Sequence, residues 1–147
     1  MATRAIIRVA EREEGVSFSE QTDNIRVQIY HHYDGYPEGL GVTLANYLGP
    51  KKIVNGLPFG AGWDTPVDVA NGMGCLTASL IEYLKEAPGN VYVDYPYQDR
   101  FDIDYTYYIW GTEGKDIWIS IFEPGTNSSS ICIFVGTPQM LIEKYTN

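Results

Sequence analysis

From residue 91 onward the chain is governed by a period of two. Residues 91–95, then Ile103, Tyr105, Tyr107 and Ile109, then Ile117, Ile119 and Ile121, then residues 131–135 carry β-branched and aromatic side chains in short alternating runs. Side chains on an extended strand point alternately to its two faces, so such runs predict strands with one face turned to a core. The connections at 111–116 and 123–130 are rich in Gly, Asp, Asn and Ser, which predicts a meander of antiparallel strands. The first residues repeat the pattern. Over residues 3–9, Arg4, Ile6 and Arg8 alternate with Ala5, Ile7 and Val9, and later Ile25, Val27 and Ile29 alternate with Arg26, Gln28 and Tyr30. The polar segment between these two strands reads as a long hairpin connection, so the pair is expected to be antiparallel.

Between the two strand-rich parts the period lengthens. Leu40, Leu44, Tyr47 and Leu48 recur at helical spacing before Gly49-Pro50, which predicts a short helix over residues 38–48. A glycine- and proline-bearing loop is expected over residues 51–63, containing Gly56, Pro58, Gly60 and Gly62. Asp64-Thr65-Pro66 has the form of a helix start, and Val69, Met73, Leu76, Leu80 and Leu84 continue on one face as the principal helix. Its Gly72, Gly74 and Ala78 are poor helix formers or small, and predict close packing against a sheet or a second subunit. Thr137-Pro138 marks a last short helix bearing Leu141 and Tyr145. The expected fold is therefore α+β: an antiparallel sheet with two main helices packed against it, in a single domain over residues 1–147.

Composition narrows the function. A chain of 147 residues, 44% hydrophobic and only 20% charged, is expected to bury one core. Neither a secretion leader nor a membrane span is expected, since no apolar run approaches the necessary length. The net charge of −9 opposes any general grip on DNA or RNA, so an anionic ligand needs a local basic site. Cys75 and Cys132, each flanked by an apolar residue, read as buried free thiols rather than as metal ligands.

No arrangement of nucleophile and base is visible, and the glycines near position 60 lack the lysine ending of a phosphate loop. His31 and His32 stand beside Asp34, yet adjacent strand side chains point to opposite faces, so a structural role is favoured over acid-base catalysis. The Asp34-Gly35-Tyr36-Pro37 run is read chiefly as a chain reversal. More informative is the density of Tyr92, Tyr95, Tyr97, Phe101, Tyr105, Tyr107, Tyr108 and Trp110 around Arg100. Aromatic faces stack bases, a guanidinium holds phosphate, and Asn90 or Asp94 can accept hydroxyl protons. Tyrosines on strands are also ordinary core residues, and that reading weighs more for each one taken singly.

Three stretches carry a resemblance: Met1-Ala2-Thr3-Arg4, the passage Ile29-Tyr30-His31-His32-Tyr33-Asp34-Gly35-Tyr36-Pro37-Glu38-Gly39, and Asp104-Tyr105-Thr106-Tyr107-Tyr108-Ile109. In these the chain resembles the Thoeris anti-defence sponge family of phage proteins, which sequester cyclic ADP-ribose isomers made by bacterial TIR-domain proteins. The resemblance implies a non-catalytic, cofactor-free dimer or hexamer in the cytoplasm of an infected bacterium. It also implies an ability to hold cyclic oligonucleotides of the CBASS pathway. It assigns no ligand residue. On chemistry and placement alone, the expected contacts are Tyr92 and Phe101 for stacking, Arg100 with Arg4, Arg8 or Arg26 for phosphate, and Asn90 or Asp94 for hydroxyls. Two rivals remain open: an enzyme degrading such a nucleotide through His31, His32 and Asp34, and an interaction module for a host polypeptide.

Overall fold

A computed structural model describes residues 2–11, 25–56, 68–127 and 129–146. In chain order the elements are β1 (Ala5–Glu11), β2 (Ile25–His31), α1 (Val42–Leu48), β3 (Lys52–Val54), β4 (Val69–Asn71), α2 (Gly72–Leu84), β5 (Val91–Asp94), β6 (Tyr105–Gly111), β7 (Trp118–Pro124), β8 (Ser130–Gly136) and α3 (Pro138–Tyr145). Among the described residues the result is a small single-domain α+β fold with three α-helices. No helix among the described residues is long and apolar enough to cross a membrane.

Six strands form one sheet in the order β5-β2-β1-β6-β7-β8, and β3 and β4 form a separate parallel pair. β1 and β2 pair antiparallel, as their alternation predicts, with Ile7 opposite Ile29. The meander holds only for β6, β7 and β8. β5 instead pairs with β2 at the far edge, and β6 lies parallel to β1, so the sheet is mostly rather than wholly antiparallel. Alternation reveals which face a side chain takes but not which strand is its neighbour. Residues 95–104 make the crossover that a parallel return requires, without a helix.

One face of the sheet is apolar. Ile7 and Val9 of β1, Ile29 of β2, Ile109 of β6 and Ile119 of β7 are buried in one cluster with Leu44, Leu76, Leu80 and Leu141 of the three helices. Tyr107 joins them, its hydroxyl donating to the carbonyl of Gly35 at 2.7 Å. That bond explains much of the Asp34-Gly35-Tyr36-Pro37 run. A Cβ on Gly35 would lie 2.7 Å from the Ala5 Cβ and 2.8 Å from the Thr3 carbonyl, so only glycine fits under β1. A widened helical turn over Pro37–Gly41 then leads directly into α1, which Gly49-Pro50 ends.

The second helix departs from its predicted form. Asp64, Thr65 and Pro66 lie outside the described residues. Val69, expected on the helix, sits in β4 opposite Lys52, and α2 starts only at Gly72, whose φ of 83° turns the chain from strand to helix. The space beside Gly72 and Gly74 is open to 4 Å, so neither packs on the sheet. Cys75 is exposed and Cys132 only partly buried, correcting the expectation of two buried thiols. The inward stripe of α2 is Met73, Leu76, Leu80 and Leu84, which leaves position 75 outside. At α3 the prediction holds: Thr137 precedes Pro138, and its hydroxyl accepts from the Met140 amide at 3.3 Å.

Candidate functional site

The sheet face away from the helices is built differently. Strand register sets Asp94, Gln28, Arg8, Tyr108 and Ser120 side by side across β5, β2, β1, β6 and β7. Gln28, Asp94, Tyr108 and Ser120 are all buried. Polar groups buried without partners cost about 1–3 kcal/mol each, so such a row persists only when it is connected. Arg8 supplies much of the connection: its Nε donates to Gln28 Oε1 at 3.0 Å and its Nη1 to the Tyr108 hydroxyl at 2.8 Å. Gln28 Nε2 in turn donates to Asp94 Oδ2 and to the Gln98 carbonyl, each at 2.9 Å. Beside this row Trp110, Phe122 and Ala10 form a smaller apolar cluster around Tyr108.

Asp94 ends the row and there meets a cation, Arg100. Arg100 holds it with two bonds, Nε to Oδ2 at 3.0 Å and Nη2 to Oδ1 at 2.6 Å. Burial pushes the Asp94 carboxyl up, but hydrogen bonds from Arg100 and Gln28 together with the Arg100 charge outweigh it, and its pKa lies below the ordinary value. The same bonds to Asp94 raise Arg100. The Arg100 guanidinium also lies over the Tyr30 ring, 4.2 Å from its centroid, while Arg8 lies 4.8 Å from the centroid of Tyr97. Tyr92 stands 5.9 Å from Tyr30, tilted against it.

The strand and crossover that carry this pair also carry aromatic rings open to solvent. Tyr92 on β5 is 47% exposed, and Tyr95, Tyr97 and Phe101 of the crossover are exposed at 70%, 39% and 83%. By contrast Tyr107, Tyr108 and Trp110 are buried, so the aromatic-rich stretch divides into core residues and a true surface group. Large exposed rings gathered on one edge mark a binding surface more often than a passive one.

Among the residues expected to contact ligand, the structure therefore gathers Tyr92, Asp94, Arg100 and Arg8, though Asp94 and Arg100 bind each other. Phe101 lies next in sequence to Arg100 on the same crossover. Asn90 is occupied otherwise: in a left-handed conformation, φ 62°, it accepts the Tyr33 amide on Oδ1 at 2.9 Å, and its carbonyl accepts the His32 amide. Arg4 lies 3.7 Å from Asp102 and Arg26 pairs with Glu11, outside the row. Gln28 and Tyr30 belong to this constellation without being among the contacts expected from sequence. A glutamine between Val27 and Ile29 was the available signal, because a buried amide in a strand needs a partner.

His31 and His32 have separate surroundings. His31 is buried, with no hydrogen-bond partner for Nδ1 among the described residues, and burial lowers its pKa below 6.5 against the opposing pull of the Tyr33 backbone and the Asp34 charge. His32 Nδ1 is 2.7 Å from the Tyr30 hydroxyl. Among the described residues no three His, Cys, Asp or Glu side chains converge as a metal site. No protein-family model, curated protein or solved structure matches the chain at a significant level.

Proposed function

We infer that the chain is a non-catalytic sponge for a cyclic ADP-ribose-type signalling nucleotide, acting as a homo-oligomer against bacterial anti-phage defence in the infected cell. The observation that carries this reading is the exposed group Tyr92, Tyr95, Tyr97 and Phe101 on β5 and on the crossover that also carries Arg100, a guanidinium held by Asp94. A base stacked on one such ring contributes about 1–3 kcal/mol whatever its sequence identity. The Asp94 pair takes Nε and Nη2 of Arg100, and a guanidinium has five N–H donors, so it can hold Asp94 and a phosphate together. The resemblance to the Thoeris anti-defence sponges supports the choice of ligand, and cyclic oligonucleotides are a second class to try. Enclosing a ligand of that size calls for a second copy of the chain.

The test is retention followed by analysis. Protein incubated with a cyclic ADP-ribose isomer, freed of unbound ligand and then denatured, is expected to release the nucleotide intact and in no more than stoichiometric amount. Product accumulating beyond one equivalent defeats the sponge and points to His31, His32 and Asp34. A different reading draws on β5 alone, an edge strand with Tyr92 and Val93 exposed, to which a host polypeptide can add a strand. Absence of nucleotide binding together with a defined host partner favours that module.

A further inference from the structure

On the helix-bearing side, away from all residues discussed for the nucleotide, α1, β3, the β6–β7 turn and the start of α3 enclose a groove of about 780 Å³. Its construction follows from the local sequence. Gly49-Pro50 ends α1 and Lys51 leads into β3, whose Lys52 and Ile53 pair with Val69 and Ala70 of β4. The Gly114 amide, at a φ of 71°, donates to the Ile53 carbonyl at 3.1 Å and ties the β6–β7 turn to β3. That bond brings Lys115 to the same groove as Lys51 and Lys52. Pro50, Val54 and Ile142, exposed or only partly buried, give the groove its accessible apolar lining, above the buried Leu48, Ile53 and Ile117.

The charge balance here reverses that of the chain. The sequence has 10 Lys and Arg against 19 Asp and Glu, yet among the described residues three lysines line this groove with one carboxylate, Asp116. Lys51 belongs to the wall: its side chain is only 9% exposed, with Nζ 4.4 Å from the centroid of Tyr47 and 3.5 Å from Asp68. Lys52 and Lys115 are exposed and come from two different segments, so their ammonium groups can meet one anion from two directions. Lysine acts on phosphate as a mobile point charge, and the volume falls within the ~300–1,000 Å³ of small-molecule sites. We propose that this groove binds a small phosphomonoester with a flat apolar body, the body against Pro50, Val54 and Ile142 and the phosphate between Lys52 and Lys115.

1-Naphthyl phosphate tests the site, with inorganic phosphate and 1-naphthol separating its two halves. In amide-resolved NMR titrations of the full chain, the ester is expected to shift signals of residues 45–54, 114–117 and 137–142. Either half alone is expected to bind at least about tenfold more weakly. The exposed pair Lys52→Glu/Lys115→Glu is expected to weaken the ester by about tenfold or more at those signals. Should the double variant not fold, Lys115→Gln and a salt titration of the parent replace it, with affinity falling in both. The proposal fails if those signals do not move, if 1-naphthol binds as well as its ester, if inorganic phosphate does, or if charge reversal changes nothing in a folded protein.

Discussion

The two faces of the six-stranded sheet use burial for different ends. Toward the helices, Ile7, Ile29, Ile109 and Ile119 meet Leu44, Leu76 and Leu80, where contact is non-directional and burying each such side chain contributes about 1.5–3 kcal/mol. On the other face Arg8, Gln28, Asp94 and Tyr108 are held by hydrogen bonds of 2.8–3.0 Å whose value depends on every partner being present. Shifting β1 by one residue would not only exchange apolar for polar side chains but also leave buried donors without acceptors. The polar face therefore does more to fix register and to place Arg100 than to supply stability. The site grows from that face, where the chain already spends polar groups on position.

The sharpest contrast comes from deleting one partner on each face. Leu44→Ala, on a fully buried residue of α1, is expected to cost about 3 kcal/mol in urea unfolding, from lost burial and the cavity left behind. Asp94→Ala is expected to cost somewhat less, about 2 kcal/mol, because Gln28 loses one acceptor and the partly exposed Arg100 can turn to water. A loss from Asp94→Ala larger than that from Leu44→Ala would reverse the assignment of roles. Asp94 also links to acid: its pKa is lowered on folding, so the stability it gives is complete above the ordinary 3.8 and is lost as pH falls through the lower folded value.

How much of this division is visible beforehand depends on the range of the signal. The two-residue period of β1 and β2 separates Ile7 and Ile29 from Arg8 and Gln28 without any structure, and Gly49-Pro50 and Thr137-Pro138 bound their helices correctly. The parallel β1–β6 pair is not visible, since Val9 and Ile109 would alternate identically beside any neighbour. β4 escapes too, because Val69 to Asn71 is shorter than one period of helix and Val69 fits the helical spacing to Met73. At the candidate site, the sequence marks Asp94 and Arg100 each as an expected ligand contact. Their mutual pairing depends on how residues 95–104 fold back over the sheet, which six positions of separation do not determine.

His31 is a polar exception on the apolar side, sharing the alternation of Val27 and Ile29. Its pKa is lowered on folding by burial, so the unfolded chain takes up the proton first, and stability falls as pH drops below 6.5 toward the lower folded value. Thermal melts between about pH 7.5 and about pH 5.5, roughly one unit either side of the ordinary histidine pKa, are expected to show a steeper decline for the parent than for His31→Leu. Equal declines would mean that protonated His31 finds a partner, and would remove the contrast between its environment and that of His32.

The smallest effect on folding is expected where the effect on binding is largest. Phe101 and Tyr95 are the most exposed of the aromatic group, so Phe101→Ala and Tyr95→Ala are expected to change stability by no more than about 0.5 kcal/mol. If a purine of the cyclic ADP-ribose isomer stacks on this edge, at least one of the two variants loses about 1–3 kcal/mol of binding in titration calorimetry, a drop of roughly five- to 150-fold. Arg100→Ala provides the comparison, since it removes a phosphate donor and also leaves Asp94 without its cation, which lowers stability together with affinity. A ring variant that loses affinity at unchanged stability separates surface from scaffold in a way no variant of the polar row can. If both ring variants bind as the parent does, the exposed aromatics are not the platform, and the nucleotide site must be sought elsewhere on the molecule.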